Sequence, residues 1–302
     1  MSALGNWSFT PLVSAFQATI LPNVQFWNLS NGAGLEYQIE VSWPFEWASP
    51  DLDASALAMY VLDGNALGMT ASEAWKRRGP VEFAQPDAVV VSVGYPLTDS
   101  VYSSQRTIDF RPPLPEGTEP NPGDPPSGAD EFIDFLDDVL RPFIRSTVFP
   151  NVNFTREALY GHSFGGLFVI YALLTEPDLF DTFLTASPAI FWNNGSILDE
   201  VDRLQCDDKK CNSHPNKPAF RISYGSLEQF PVRRRTETEE EYQARKAIIE
   251  TFHMTDNCQE LYRRIRRNPR LRDVVLKEYK GQDHASVGAS AITDGIDYFV
   301  DW

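Results

Sequence analysis

Six short apolar runs recur along this chain, and helical patterns separate them. They read "LAMYVLDG", "AVVVSVGY", "EALYG", "DTFLTAS", "AFRISYG" and "VVLKEYKG". Runs that are apolar at consecutive positions are typical of strands buried on both faces of a parallel sheet. Two earlier runs, "VQFWNLS" and "LEYQIEVSWP", predict an antiparallel opening pair. We therefore predict a doubly wound α/β fold with a mostly parallel, eight-stranded sheet between helices.

The clearest helical patterns lie in the middle and at the end of the chain. In residues 129–148 apolar side chains repeat on one helical face, and Pro142 is expected to kink the helix. The closing "SVGASAITDGIDYFV" predicts a final helix. No linker or repeat divides the 302 residues, and α/β folds reach this size as one unit, so we predict a single domain over residues 1–302.

Two segments interrupt this alternation. Residues 99–128 carry seven prolines, so we expect a long loop without regular structure that acts as a lid or a surface excursion. Residues 229–272 predict a mostly helical insertion with an acidic front, "TETEEEY", and an arginine-rich end. This charge order matches the helix dipole, and the arginines are expected to pair with nearby acids rather than with an anionic partner.

The net charge of −16 restricts the partners of the protein. A field of this sign repels polyanions, so neither nucleic acid nor an anionic membrane surface is expected as a partner. No apolar run approaches the roughly 20 residues that span a bilayer, and the start lacks a signal-peptide pattern. These features predict a soluble, cytoplasmic protein.

Residues 159–166, "LYGHSFGG", place Ser163 between a predicted strand and a predicted helix. In a nucleophile elbow the serine projects from a sharp turn, and the residues two before and two after it must be small. Gly161 and Gly165 meet this requirement, and Gly166 adds room. The pattern predicts that Ser163 is a nucleophile; the alternative is a glycine-rich turn with an incidental serine.

A serine nucleophile needs a base, and the chain contains only four histidines. His162 adjoins the serine and is expected to point elsewhere, His214 lies in a polar loop, and His253 lies in the helical insertion. His284 follows the last predicted strand and precedes the final helix, which is where such a sheet holds its base. We therefore predict that His284 is the general base.

The residue that orients the base should lie between Ser163 and His284 in sequence. Glu228 follows the strand "AFRISYG" and is the predicted third member, with an ordinary surface glutamate as the alternative. Asp256, inside the insertion, and Asp283, adjacent to the histidine, are weaker candidates. The order serine, acid, histidine is that of α/β-hydrolases.

Acyl transfer also requires two N–H groups around the oxyanion. The amide of Phe164, directly after the nucleophile, is one candidate. The stretch "LAMYVLDGNALG" supplies a turn in which Gly64 allows a close backbone approach and Asn65 offers its amide. Asp63 is predicted either to brace this turn or to cap the segment after it.

We predict neither a metal nor a cofactor. Cys206 and Cys211 flank a polar stretch, but only His214 lies near them, which is too few ligands for zinc. Together with Cys258 they are interpreted as ordinary thiols.

Several stretches taken in order carry a resemblance to a known family: "YVLDGNA", "YGHSFGGLF", "SPAIFWNN", "YGSLE" and "GQDHAS". They resemble the "putative esterase" group of α/β-hydrolases, which includes esterase D-like enzymes and ferric-siderophore esterases. The likeness covers most of residues 13–300 and is greatest to fungal esterases of triacetylfusarinine C. It implies Ser163 as nucleophile, His284 as base, and the amides of Asn65 and Phe164 as the oxyanion hole.

The resemblance also implies residues that contact the substrate. "RTIDFRPP" resembles a stretch of siderophore esterases that places Arg106 near the substrate pocket; the alternative is a loop-bracing pair with Asp109. Trp192, after "SPAIF", is either a wall of the cleft or a core residue, and Gly64 completes the predicted set. Some family members use a serine–histidine dyad, which leaves the role of Glu228 open.

The function that follows from the resemblance is a serine esterase that cleaves a cyclic ferric siderophore of the fusarinine type and frees iron inside the cell. Residues 99–128 and 229–272 favour this substrate because they add length that can enclose a bulky molecule. One alternative is a small-ester or thioester hydrolase such as S-formylglutathione hydrolase. The other is a hydrolase fold that binds a ligand without turnover.

Overall fold

The architecture is described from a computed structural model of the chain, which covers residues 5–11, 22–49, 52–120, 123, 125–204 and 217–302. Within these residues, a nine-stranded mixed sheet lies between two helical layers. Across these described ranges, no helix combines the length and the apolar character that crossing a membrane demands.

The nine strands form one continuous sheet. They are β1 (Ser8–Pro11), β2 (Val24–Ser30), β3 (Glu36–Ser42), β4 (Ala54–Leu62), β5 (Ala88–Gly94), β6 (Val152–His162), β7 (Thr182–Ala186), β8 (Ala219–Gly225) and β9 (Asp273–Tyr279). Their spatial order is β1-β2-β3-β5-β4-β6-β7-β8-β9. The β1–β2, β2–β3 and β3–β5 pairs are antiparallel, and every later pair is parallel. The predicted antiparallel opening pair and the parallel sheet are thus both confirmed.

The central strands are buried on both faces of the sheet. Strands β5, β7 and β8 are buried at every position, as their continuous apolar runs predict. Because the strands run in parallel, their carboxyl ends meet at one edge of the sheet. Ser163, Glu228 and His284 all lie just beyond this edge, after β6, β8 and β9.

Helices connect and cover the strands. They are α1 (Gly64–Val81), α2 (Arg106–Asp109), α3 (Ala129–Asp134), α4 (Arg141–Phe143), α5 (Phe164–Thr175), α6 (Glu239–Glu250), α7 (Met254–Ile265) and α8 (His284–Asp301), with a 3-10 segment at Trp192–Leu204. On one face Trp75 of α1 packs edge-on against Phe299 of α8, with ring centroids 6.3 Å apart. On the other face Phe168 of α5 packs against Phe132 of α3 at 5.0 Å.

In the described part of the chain, the sheet has one strand more than the predicted eight. The additional strand, β1, has only four residues, which is too short for a periodic pattern to stand out. It pairs with β2, and its Phe9 stacks on Phe143 with ring centroids 4.1 Å apart. Such a strand depends on its tertiary partners, so its short sequence is not enough to predict it.

The helical stretch over residues 129–148 departs from α geometry on both sides of Pro142. A π-helical turn at Phe135–Leu140 precedes α4, and a second at Ile144–Val148 follows it. Proline lacks the N–H that an α-helical ladder needs, and widened turns accommodate such a gap. The proline-rich segment 99–128 is also less irregular than expected, because α2 forms ahead of all seven of its prolines.

Candidate active site

Ser163 occupies a sharp turn between β6 and α5. Its backbone torsions are φ 59° and ψ −119°, a region that non-glycine residues rarely adopt. The turn is held by the neighbouring strand, because the N–H of Ser163 donates to the carbonyl of Ala186 at 3.0 Å. The carbonyl of Ser163 in turn accepts from the N–H of Ala189 at 2.9 Å. This strained geometry is the one that a nucleophile elbow requires.

The glycines around Ser163 are not equivalent. A Cβ added to Gly161 would lie 2.2 Å from the carbonyl oxygen of Gly165, and one added to Gly166 would lie 2.5 Å from Thr185 Oγ1. At Gly165 the nearest atom would be 3.4 Å away, which is ordinary contact. The strand and the helix therefore approach most closely at Gly161 and Gly166, and the requirement for glycine is weakest at Gly165.

Glu228 and His284 meet at the carboxyl edge of the sheet. Glu228 lies in the turn after β8 and is 5% exposed, and its Oε2 is 2.6 Å from His284 Nδ1. Its other oxygen, Oε1, accepts from the N–H of Gly225 at 2.5 Å and from the hydroxyl of Ser187 at 2.6 Å. Both carboxylate oxygens are therefore occupied, and the carboxylate is rigidly aimed at the imidazole. The surface-glutamate alternative for Glu228 does not agree with this burial.

Ser163 and His284 line the same cavity, which has a volume of about 380 Å³. Most of its wall is apolar and comes from the segment between β8 and β9. The lining side chains beside Ser163, Glu228 and His284 are Phe191, Leu227, Pro231, Val232, Arg234, Arg245, Ile249, Phe252, Met254, Asp283 and Ala285. The cavity thus joins a polar edge to an apolar wall, as ligand pockets commonly do.

The predicted oxyanion groups lie at two helix N-termini. Phe164 is the first residue of α5 and Asn65 is the second residue of α1, so neither N–H has an acceptor within its own helix. The side chain of Asn65 accepts from the N–H of Tyr95 at 2.7 Å and donates to its carbonyl at 3.0 Å. A Cβ on Gly64 would lie 2.9 Å from the backbone of Ser92, so glycine permits the close approach at this turn.

Arg106 forms a buried ion pair with Asp63. Its Nε and Nη2 donate to the two carboxylate oxygens at 2.7 Å each. Burial alone would lower the pKa of Arg106, but the hydrogen bonds and charge of Asp63 outweigh it and raise that pKa. Asp63 accordingly braces the turn before α1 and makes no side-chain cap. The guanidinium also lies 5.7 Å from the ring centroid of Phe164.

The alternative of a pair between Arg106 and Asp109 does not form, because the carboxylate of Asp109 has other partners. Its Oδ2 accepts from the hydroxyls of Tyr95 at 2.9 Å and Tyr37 at 3.1 Å, and its Oδ1 accepts from the Gln105 amide. Arg106 and Asp109 are one helical turn apart, so the helix alone would allow them to pair. Arg106 pairs with Asp63 instead because the tertiary structure brings Asp63 to its guanidinium.

Trp192 and its neighbour Phe191 take different places. Trp192 is partly buried and packs against the core, and the Arg111 guanidinium lies 5.8 Å from its ring centroid. Phe191 lines the cavity instead and stacks on Phe252 with ring centroids 4.5 Å apart. The wall-forming aromatic residue after "SPAI" is therefore Phe191.

Two further residues contact the site although neither is among the predicted site residues. Ser187 ends the apolar run of β7 and bonds to Glu228, so its position at a strand end was the available signal. His162 does not point away from the site: its Nε2 lies 2.8 Å from the carbonyl oxygen of His284, and the two rings are 4.5 Å apart. Burial, together with the nearby His284 and Arg106, lowers the pKa of His162 to about 3.

No group of three or more metal-binding side chains occurs in the described part of the chain. Cys206, Cys211 and His214 lie outside the described residues. Cys258 is a buried free thiol, and its pKa is raised well above the usual value by burial and by the negative charge of Glu228.

The site combines a strained serine elbow with a buried acid–histidine pair, and both lie at the carboxyl edge of a mostly parallel sheet. This combination defines an α/β-hydrolase. The family model described as "Putative esterase" matches residues 30–264. The chain belongs to this family of carboxylic ester hydrolases.

Named relatives are similar over nearly the whole chain. "Siderophore enterobactin esterase" from Emericella nidulans is 42% identical over 96% of this chain and 97% of its own length. "Siderophore triacetylfusarinine C esterase" from Aspergillus fumigatus is 38% identical over 93% and 95%. The solved structure of "Siderophore hydrolase EstA from Aspergillus nidulans" superposes with a TM-score of 0.85 at 40% identity, covering 96% of this chain and 98% of that one.

Proposed function

We propose that the protein is a serine esterase that opens the ester bonds of a ferric siderophore trilactone. The carboxylate of Glu228, held 2.6 Å from His284 Nδ1 at a cavity shared with Ser163, is the observation that supports the reaction. In this proposal His284 Nε2 takes the proton of Ser163 as the hydroxyl attacks the ester carbonyl, and the N–H groups of Phe164 and Asn65 stabilise the oxyanion. His284 then protonates the leaving alcohol, and water releases the acid by the same steps.

The cavity accommodates one arm of such a substrate. A volume of about 380 Å³ is near the lower end of the range for small-molecule sites, and a trilactone with its bound Fe(III) is larger than this. We infer that one ester-linked arm enters and the rest of the macrocycle stays at the mouth. Pro231, Val232, Ile249 and Phe252 would contact the apolar part of the arm.

The charge of the site favours hydroxamate siderophores. Hydroxamates balance the charge of Fe(III), so their ferric trilactones are neutral, whereas ferric catecholate trilactones are polyanions. The cavity carries two arginines and two acids, namely Arg234, Arg245, Glu228 and Asp283. Arg245 is bound to Glu237 at 2.5 Å and to the carbonyl of Val232 at 2.9 Å. Such a lining offers no excess positive charge to a polyanion.

A catecholate trilactone is the second candidate, because the relative at 42% identity is named as an enterobactin esterase. The substrates are separated by measuring kcat/KM for ferric triacetylfusarinine C, ferric enterobactin, p-nitrophenyl acetate and S-formylglutathione, with product masses recorded. We expect the highest value for the hydroxamate trilactone. Turnover of the small esters alone, with both siderophores intact, would support the small-ester or thioester alternative instead.

Covalent labelling tests the nucleophile separately from the substrate. A fluorophosphonate should form one adduct at Ser163, located by peptide mass spectrometry, and Ser163→Ala should form none. If the folded wild-type protein were not labelled, the serine-esterase proposal would fail and the non-catalytic binding alternative would stand. For the compartment we propose the cytoplasm, where the released iron would be used, and a fluorescent fusion in the native cell would test this.

A further inference from the structure

Two side chains of β6 bind the backbone of α8. The hydroxyl of Tyr160 donates to the carbonyl oxygen of Gly288 at 2.5 Å, and Nε2 of His162 lies 2.8 Å from the carbonyl oxygen of His284. Two residues along a strand advance about 6.7 Å, and four residues along a helix advance about 6 Å, so the two bonds match in spacing. The strand that ends at the nucleophile is therefore joined twice to the helix that begins with the proposed base.

The surroundings of His162 define its protonation and tautomer. The side chain is 4% exposed, and a Cβ on Gly288 would lie 3.3 Å from the ring, so the imidazole fits closely under α8. A carbonyl oxygen only accepts, so Nε2 carries the proton and donates. Nδ1 is buried and has no hydrogen-bond partner among the described residues. Burial and the facing groups His284 and Arg106 keep the ring neutral, since they lower its pKa to about 3.

The fold itself has no evident need for an imidazole at this position. A buried nitrogen without a partner is costly, and a phenylalanine ring would fill similar space without that cost. The group that phenylalanine lacks is the Nε2–H that binds the carbonyl of His284. The reason for a histidine at position 162 must therefore be this one hydrogen bond.

We propose that His162 is a positioning residue that holds His284 in place through the main-chain carbonyl of His284. This inference rests on the proposed role of His284 as the base of Ser163. A general base must stay within hydrogen-bond reach of its proton donor, and small displacements are expensive in rate. Glu228 fixes the ring of His284 at Nδ1, and His162 fixes its backbone, so the side chain is held at both ends. Because His162 stays neutral, it does not compete for the proton that His284 accepts.

The experiment compares variants that separate this role from general stability. His162→Phe fills the space without a donor, and His162→Gln retains an N–H donor. Tyr298→Phe is the matched control: its hydroxyl also joins α8 to the sheet, donating to Asp273 at 2.7 Å, but at the far end of the helix. For each we would measure kcat and KM with p-nitrophenyl acetate, the rate of fluorophosphonate labelling, and Tm.

We expect His162→Phe to lose about 10- to 100-fold in kcat and in labelling rate, with KM within about twofold. Its Tm should stay within about 5 °C of the wild type, because the cost of the unpaired Nδ1 is removed together with the one hydrogen bond. His162→Gln should recover most of the rate. Tyr298→Phe should show the reverse pattern, a lower Tm with an unchanged rate. If His162→Phe does not fold, His162→Leu provides the same comparison.

The proposal is overturned if a folded variant without the donor keeps its kcat within about twofold, or if the Gln and Phe variants lose equal rate. The same experiment distinguishes a failure of this role from a failure of the proposed function. A wild-type protein that is neither labelled nor active would remove the esterase reaction and this role together, whereas an active wild type with an unaffected His162→Phe would remove the role alone.

Discussion

Replacing Glu228 with glutamine should disable the histidine by forcing the wrong tautomer. Oε1 of Glu228 accepts from the N–H of Gly225, and Oε2 faces His284 Nδ1. A backbone N–H can only donate, so the amide oxygen of the glutamine must keep the Oε1 position and the NH₂ group must face Nδ1. His284 is then held with a bare Nδ1 and a protonated Nε2. In that state Nε2 cannot accept the proton of Ser163.

The expected loss follows from this tautomer. The corresponding acid-to-amide change in a serine-protease triad lowers kcat by about 10⁴-fold. We expect a decrease in kcat of about 10³- to 10⁴-fold here, equivalent to about 4–5.5 kcal/mol of transition-state stabilisation, with KM nearly unchanged. The assay is the kcat and KM for p-nitrophenyl acetate, with circular dichroism to confirm folding.

A matched control removes the other donor to Oε1. Ser187→Ala deletes a hydroxyl that can rotate to donate or accept, but it leaves the Gly225 N–H in place and the charge of Glu228 intact. The decrease in kcat of Ser187→Ala should stay below about tenfold. A folded Glu228→Gln variant with wild-type kcat/KM would refute the reasoning and indicate a dyad of Ser163 and His284.

Three further outcomes follow from the packing around the elbow. Gly161→Ala should abolish activity, because its methyl group would lie 2.2 Å from the Gly165 carbonyl oxygen. Gly165→Ala should remain active, because the nearest atom to its methyl group would be 3.4 Å away. Equal activities of the two variants would contradict this. Arg106→Met leaves Asp63 buried without its partner and should lower the free energy of unfolding in urea by about 3–5 kcal/mol. Asp63→Asn in the same chain should recover part of the loss, and no recovery would argue against the pair. The pKa of His162 falls from 6.5 to about 3 on folding, so between these values the unfolded chain binds a proton that the folded protein does not, and stability decreases as pH falls. From pH 7 to about pH 5 this lowers the free energy of unfolding by about 2 kcal/mol, and the His162→Gln variant should lose less over that interval. Equal slopes of unfolding free energy against pH for the two proteins would contradict the assignment.

The proposed reacting groups were accessible from sequence because each is tied to a local pattern. Ser163 lies in a strand–turn–helix stretch with glycine at 161, and His284 and Glu228 each follow an apolar run that must end at the carboxyl edge. Parallel strands bring those ends together regardless of the length of chain between them. Strand β1 carried no such pattern, because four residues on a sheet edge are stabilised by their neighbour rather than by their own periodicity.

Arg106 and His162 make contacts between distant parts of the chain that local patterns do not predict. Arg106 pairs with Asp63, 43 positions away, rather than with Asp109 on its own helix. His162 was expected to point elsewhere, yet it binds the carbonyl of His284. Each alternative was compatible with local geometry, and only packing selects among compatible partners.

The sequence alone determined the class of fold and the candidate site: periodic burial specifies the parallel sheet, and the proposed catalytic residues Ser163, Glu228 and His284 follow from positions at strand ends. The tertiary structure decided how those groups are held. It placed the apolar wall of residues 231–254 over Ser163, aimed both oxygens of Glu228, and set His162 beneath His284. The physical reason is that burial patterns are encoded in short stretches of chain, whereas hydrogen-bond partners and cavity walls depend on which side chains meet when separate elements pack.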